Sequence, residues 1–201
     1  MNEDNFEIRC GIVIAIFAAI MAVSDMFAGK YGDDEIKFIN EKSNSYMWFQ
    51  AKSIRATVTE GQRDLISTMT SNKSPGDLQA EKLREHTEKL TKKIAKYEME
   101  KNEILKGSSV VGKENWVQDV NGELGKVTGA LEYEQKINVL GEAGDQFDLS
   151  NLFFQLCLVM GAISLVTKEL KLKKIFFFMM MGMGAVGTTF SLLALRLAMA
   201  A

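Results

Sequence analysis

The sequence predicts an all-α integral membrane protein. It would have three transmembrane helices and an extramembrane, antiparallel helical or coiled-coil insert between the first and second. Three observations carry this prediction. Charge is segregated: residues 30–148 hold 18 of the 24 Lys and Arg and 21 of the 26 Asp and Glu. By contrast, 10–29 carry only Asp25, 149–167 carry no charge, and 175–201 carry only Arg196. Each charge-poor run has the length needed, since about 20 apolar residues cross about 30 Å of hydrocarbon. Proline occurs once in 201 residues, which suits long unbroken helices. The net charge of −2 and near-zero mean hydropathy are averages over unlike parts. Two cysteines and a balanced charge exclude a disulfide scaffold and a basic nucleic-acid binder.

Residues 1–9 form a short N-terminal tail, acidic in balance. The first span is 10–29. Its acidic front lacks the basic n-region of a cleaved signal, so it reads as a retained span. The insert is 30–148, the second span 149–167, and the third 175–201. Residues 168–174 link the last two and contain Lys168, Lys171, Lys173 and Lys174. By the positive-inside rule this basic loop is cytoplasmic, which places the insert on the periplasmic side.

Span one carries a stripe of small residues. Gly11, Ala15, Ala18, Ala22, Asp25 and Gly29 fall within roughly 80° on a helical wheel. Small residues let helices approach closely in lipid, so this reads as a packing seam. Gly184, Gly187, Thr188, Ser191 and Ala198 form a second seam on span three, and Arg196 points away from it. Asp25 and Arg196 are placed at matching depth and form a candidate intramembrane pair. Asn151, Gln155 and Ala162 share one face of span two.

In the insert, Tyr31 to about Thr70 reads as a helix. Its stripe Met47, Ala51, Ile54, Val58, Gly61 and Leu65 is of coiled-coil spacing. Ser74, Pro75 and Asp77 mark a new helix start, and Asp77–Lys106 is the clearest helix. Its inward positions are Leu83, Leu90, Ile94, Tyr97 and Ile104, with Thr87 and Lys101 interrupting. Residues 113–148 resume helical spacing through Val117, Val120, Leu124, Val127 and Leu131, despite several glycines.

No pattern for chemistry emerges. His86 is the single histidine and sits on a charged helix. Gly182–Gly187 resembles a dinucleotide fingerprint only superficially, since no strand precedes it. No catalytic residue, metal site or cofactor is predicted.

Ser43–Arg55 contains Trp48-Phe49-Gln50-Ala51-Lys52-Ser53-Ile54-Arg55. This resembles the aromatic-Gln-Ala-Lys-x-Ile-basic signature of a bacterial membrane family catalogued as a domain of unknown function, number four thousand three hundred and thirty-seven. The resemblance continues at Gln146-Phe147, Leu152-Phe153-Phe154-Gln155, Gly161-Ala162-Ile163-Ser164 and Gly184-Ala185-Val186-Gly187. It covers nearly the whole chain, although residues 107–144 are richer in glycine than is usual in the family. It implies a small three-span architecture in a bacterial inner membrane and implies no activity. Trp48, Phe49, Gln50 and Lys52 then read as a contact motif of the insert. The functional expectation is a non-enzymatic, homo-oligomeric membrane scaffold or interaction protein. Its partners would be the bilayer, further copies of itself or another membrane protein, and no nucleic acid. The alternatives are a channel or transporter subunit, with Asp25, Gln155 and Arg196 lining a path, or an accessory subunit of a larger complex.

Overall fold

The computed structural model describes residues 3–71 and 78–201. The described chain is almost wholly helical. Helix α1 runs Glu3–Ser71, α2 Leu78–Lys106, and α3 is the short turn Ser108–Val111. A 3-10 turn (Lys113–Asn115) and a minimal hairpin of β1 (Asp119–Val120) and β2 (Glu123–Leu124) follow. Helices α4 (Ala130–Val166) and α5 (Leu170–Ala198) complete the order. Three helices, α1, α4 and α5, are long and apolar enough to cross a membrane. The expected helix start at Ser74, Pro75 and Asp77 lies outside the described residues. The chain divides into two compact units: the chain up to Lys37 with Lys136–Ala201, and Phe38–Gln135.

The first unit is a bundle of three helices. Phe6 meets Phe177, and Ser191 donates a 3.0 Å hydrogen bond to Ser24, so α1 and α5 run parallel. Tyr31 stacks on Phe147 and Phe17 meets Phe154, so α4 runs against α1. Large side chains fit against glycines here. A methyl on Gly184 would lie 2.3 Å from the Phe17 ring, and one on Gly161 would lie 2.6 Å from Ile14. Glycines at these positions let the helix backbones approach closely. The core is Cys10, Phe17, Phe154, Cys157 and Met180.

The connection between α4 and α5 is shorter than expected. Helix α5 begins at Leu170, so most of 168–174 is helical rather than loop. Lys173 is buried in this first turn, and its Nζ donates to Glu7 Oε1 at 2.6 Å. Only Lys168, Lys171 and Lys174 of the four lysines remain exposed there.

In the second unit, α1 and α2 form an antiparallel hairpin. Lys52 pairs with Glu100, whereas Ser67 and Thr70 share a groove with Arg84 and Thr87 nearer the hairpin's tip. The expected inward positions Leu90, Ile94 and Ile104 of α2 are buried. On its exposed side, the Lys89 and Lys92 ammonium groups hold the carboxyls of Glu85 and Glu88 below their ordinary range. Helix α1 meets α2 with a face other than its Met47–Leu65 stripe. Its buried positions are Ser45, Ala56 and Thr59, with Phe49 and Lys52 half-buried alongside. Small side chains at 45, 56 and 59 let α2 come close, and Lys52 needs that face to reach Glu100. The Met47–Leu65 stripe is therefore turned outward.

The largest departure is at 113–129, where helical spacing was expected to resume. The structure has no helix at Val117, Val120, Leu124 or Val127, and α4 starts only at Ala130. Asn121 and Gly122 occupy φ of 55° and 86°, the paired left-handed conformation of a two-residue hairpin turn. Asp119 pairs with Leu124 and Val120 with Glu123 across it, and Asp119 Oδ1 accepts from Gly122 N–H at 2.7 Å. The segment is anchored by Glu103, which is fully buried. Its carboxylate accepts from Ser108 Oγ (2.7 Å), Val117 N–H (2.9 Å) and Gln118 N–H (2.8 Å). Helical spacing of apolar residues here was a coincidence that turn chemistry overrides.

Candidate functional site

No cleft with convergent reactive groups is present among the described residues, and no group of three or more His, Cys, Asp or Glu there is placed to hold a metal ion. His86 is exposed. The features that stand out are faces of helices.

The span-one stripe is not the packing face of α1 within the chain. The packing face carries Phe6, Cys10, Phe17 and Ser24, all buried. Ala15, Ala22, Asp25 and Gly29 are exposed, and Gly11 and Ala18 only half-covered. A methyl added to Gly11 or Gly29 would meet nothing within 4 Å. The reason is complementarity: Phe17 fills the space over Gly184 and Ile14 the space over Gly161, and the small residues have nothing large to receive. The second seam is internal. Gly184 and Gly187 are buried, Gly187 O accepts from Ser150 Oγ at 2.8 Å, and Ser191 reaches Ser24.

Asp25 and Arg196 do not pair within the chain. Both are exposed, and neither has an ion-pair partner among the described residues. Their depths also differ. The Ser24–Ser191 bond sets the register, so Arg196 lies level with Gly29, about 6 Å beyond Asp25 along the bundle. Gln155 is exposed on α4, and Asn151 is half-exposed with its Oδ1 enclosed and unpartnered. These polar groups share no common path inside one chain. Between α1 and α5 lies an apolar groove of about 320 Å³, lined by Ile20, Val23, Phe27, Leu192 and Leu195 and by the paired serines.

In the second unit, Met47, Ile54, Val58 and Leu65 are 57%, 58%, 55% and 60% exposed. They form a continuous apolar ribbon on a surface otherwise rich in charge. The contact motif beside it splits between faces. Lys52 Nζ donates to Glu100 Oε2 at 2.7 Å, with side chains 12% and 6% exposed. Phe49 lies under the Lys101 ammonium at 5.7 Å. Gln50 is exposed, and Trp48 is 37% exposed at the edge of the face that meets α2. Replacing Lys52 by methionine is expected to destabilise this unit by about 2 kcal/mol, because Glu100 is left buried with only Lys96 at 3.8 Å. Replacing both partners, Lys52→Met with Glu100→Met, should recover most of that loss in thermal unfolding of the full chain in detergent.

Compared with known families, residues 6–197 match the model described as Domain of unknown function (DUF4337). The chain belongs to this family. No curated protein and no solved structure matches it. The stretch Phe49–Arg55, read above as resembling a family pattern, lies on the part of α1 that holds the Lys52–Glu100 ion pair. Its Lys52 faces α2, while Gln50 and Ile54 face outward. Glu103 and the Lys173–Glu7 pair escaped the sequence reading. An acid three residues after Glu100 gave no sign of being buried. The Asn121-Gly122 dipeptide was the available signal for the hairpin.

Proposed function

We propose that this protein is a non-enzymatic, homo-oligomeric membrane scaffold. It is anchored by α1, α4 and α5 in a bacterial inner membrane, with the insert on the periplasmic side. The observation that carries the reading is the outer face of α1 in each unit. In the apolar unit that face is a run of small residues with an acid, left uncovered by α4 and α5. In the other unit it is the Met47–Leu65 ribbon, left uncovered by α2. A ribbon of half-exposed large aliphatics on a charged surface marks an interaction face. The exposed Lys168 before α5 and Lys171 and Lys174 in its first turns support the orientation.

Differently tagged copies expressed together are expected to co-purify in mild detergent, with a mass by light scattering above that of one chain. Ile54→Glu with Val58→Glu, or Ala18→Leu with Ala22→Leu, should lower the assembled fraction about tenfold, because each places bulk or charge on a close-contact face. A monomeric wild-type chain in native nanodiscs would refute the reading.

A further inference from the structure

Two charges on the apolar unit have no ion-pair partner among the described residues. Asp25 stands on the small-residue face of α1, and Arg196 on the outer face of α5. An ionisable group within a membrane span is costly unless it is paired or reaches water. We propose that Asp25 of one copy pairs with Arg196 of the next, in a head-to-tail interface that repeats around the oligomer. This rests on the homo-oligomeric reading above and specifies its contact.

Three features of the first unit fit the arrangement. The groove between α1 and α5 lies at the depth of Ile20–Phe27, the same depth as the Ala18–Asp25 part of the small stripe. A helix face of Gly and Ala can seat in such a groove because no side chain holds the backbones apart. Arg196 lies one residue beyond Leu195, the last residue of α5 to line the groove, and about 100° round the helix from it on the exposed side. The one-turn offset between Asp25 and Arg196 is also in the right direction. Helical side chains lean toward their own N-terminus, and the long arginine leans furthest. In parallel copies, Arg196 therefore reaches back toward the level of its neighbour's Asp25. The two-fold alternative, with α1 stripes facing each other, would set Asp25 against Asp25 with no base between them. A head-to-tail contact that closes gives a ring.

The test uses the full chain with Cys10 and Cys157 replaced by alanine. One tagged copy carries Asp25→Cys and a differently tagged copy carries Arg196→Cys. A bis-maleimide reagent spanning about 10 Å is expected to link the two species in membranes, since the offset exceeds disulfide reach, and copies carrying only Asp25→Cys should not link to each other. Asp25→Lys alone or Arg196→Asp alone should reduce the assembled fraction about tenfold, and the double exchange should restore it. An oligomer seen by light scattering without the mixed link, or without recovery in the double exchange, would overturn the pair and leave the oligomer standing. A monomer would overturn both.

Discussion

Replacing Glu103 by alanine is expected to free the segment 107–127 from the end of α2. The carboxylate is fully buried and accepts from the Ser108 hydroxyl and from the consecutive amides of Val117 and Gln118. Bonds to a charged acceptor contribute about 1.5–3 kcal/mol each, and a buried amide left without a partner costs about 1–3 kcal/mol. These effects overlap, and the segment can partly open to water. The expected net loss is about 4 kcal/mol in the stability of this local structure. The effect should spread to Trp116, whose Nε1 donates to Ser108 O at 2.8 Å. Hydrogen exchange of the detergent-solubilised full chain reads it directly: protection at 117 and 118 should collapse, while the Leu90–Ile94 part of α2 keeps its protection. Glu103→Gln should fall between, since its amide keeps one acceptor oxygen and turns a donor toward donors. Unchanged protection at 117 and 118 in Glu103→Ala would show that the hairpin holds itself.

The legible and illegible parts of this chain follow from what one sequence can encode. Apolar runs of membrane length are a property of the segment alone, so the three apolar helices were readable. The buried positions Leu90, Ile94 and Ile104 were readable too, because α2 has one apolar stripe in a charged background. Helix α1 posed a different problem. Its periodicity groups Met47, Ile54, Val58 and Leu65 on one side, but spacing does not say whether that side meets its own chain. The side that does is built from Ser45, Ala56 and Thr59 and from a lysine whose partner is 48 residues away. In span one the same ambiguity arises because the helix is apolar all round. Small residues announce a seam, and only the fit of Ile14 over Gly161 and of Phe17 over Gly184 shows that large side chains take the inner face. At 113–129 a period near 3.6 competes with the Asn121-Gly122 turn, and the turn prevails because two left-handed residues in succession cannot sit in a right-handed helix.

Gly129→Ala is expected to cause a loss of similar size for a purely steric reason. A methyl there would lie 2.2 Å from Gly107 N and 2.3 Å from the Lys106 carbonyl carbon. Both are backbone atoms, so no side-chain rotation relieves the clash. Gly107 N–H donates to Glu103 O at 2.8 Å, so pushing it away would also loosen the last turn of α2 and the residue that anchors the hairpin. On the other side, Gly129 N–H donates to Glu132 Oε2 at 3.2 Å, half of a capping box at the start of α4. Overpacking a tight site costs about 1–3 kcal/mol, and the upper end or beyond applies where both neighbours are main chain. The control is Gly144→Ala in the interior of α4, where an added methyl meets nothing within 4 Å. That change should leave stability unaltered or raise it by about 0.5–1 kcal/mol, since alanine loses less freedom than glycine in a helix. Thermal unfolding of both variants in the same detergent separates the cases. If Gly129→Ala melts with the wild type, the contact between the end of α2 and the start of α4 is looser than 2.2 Å implies. If it melts well below while Gly144→Ala does not, the close backbone crossing is what fixes the irregular segment in place.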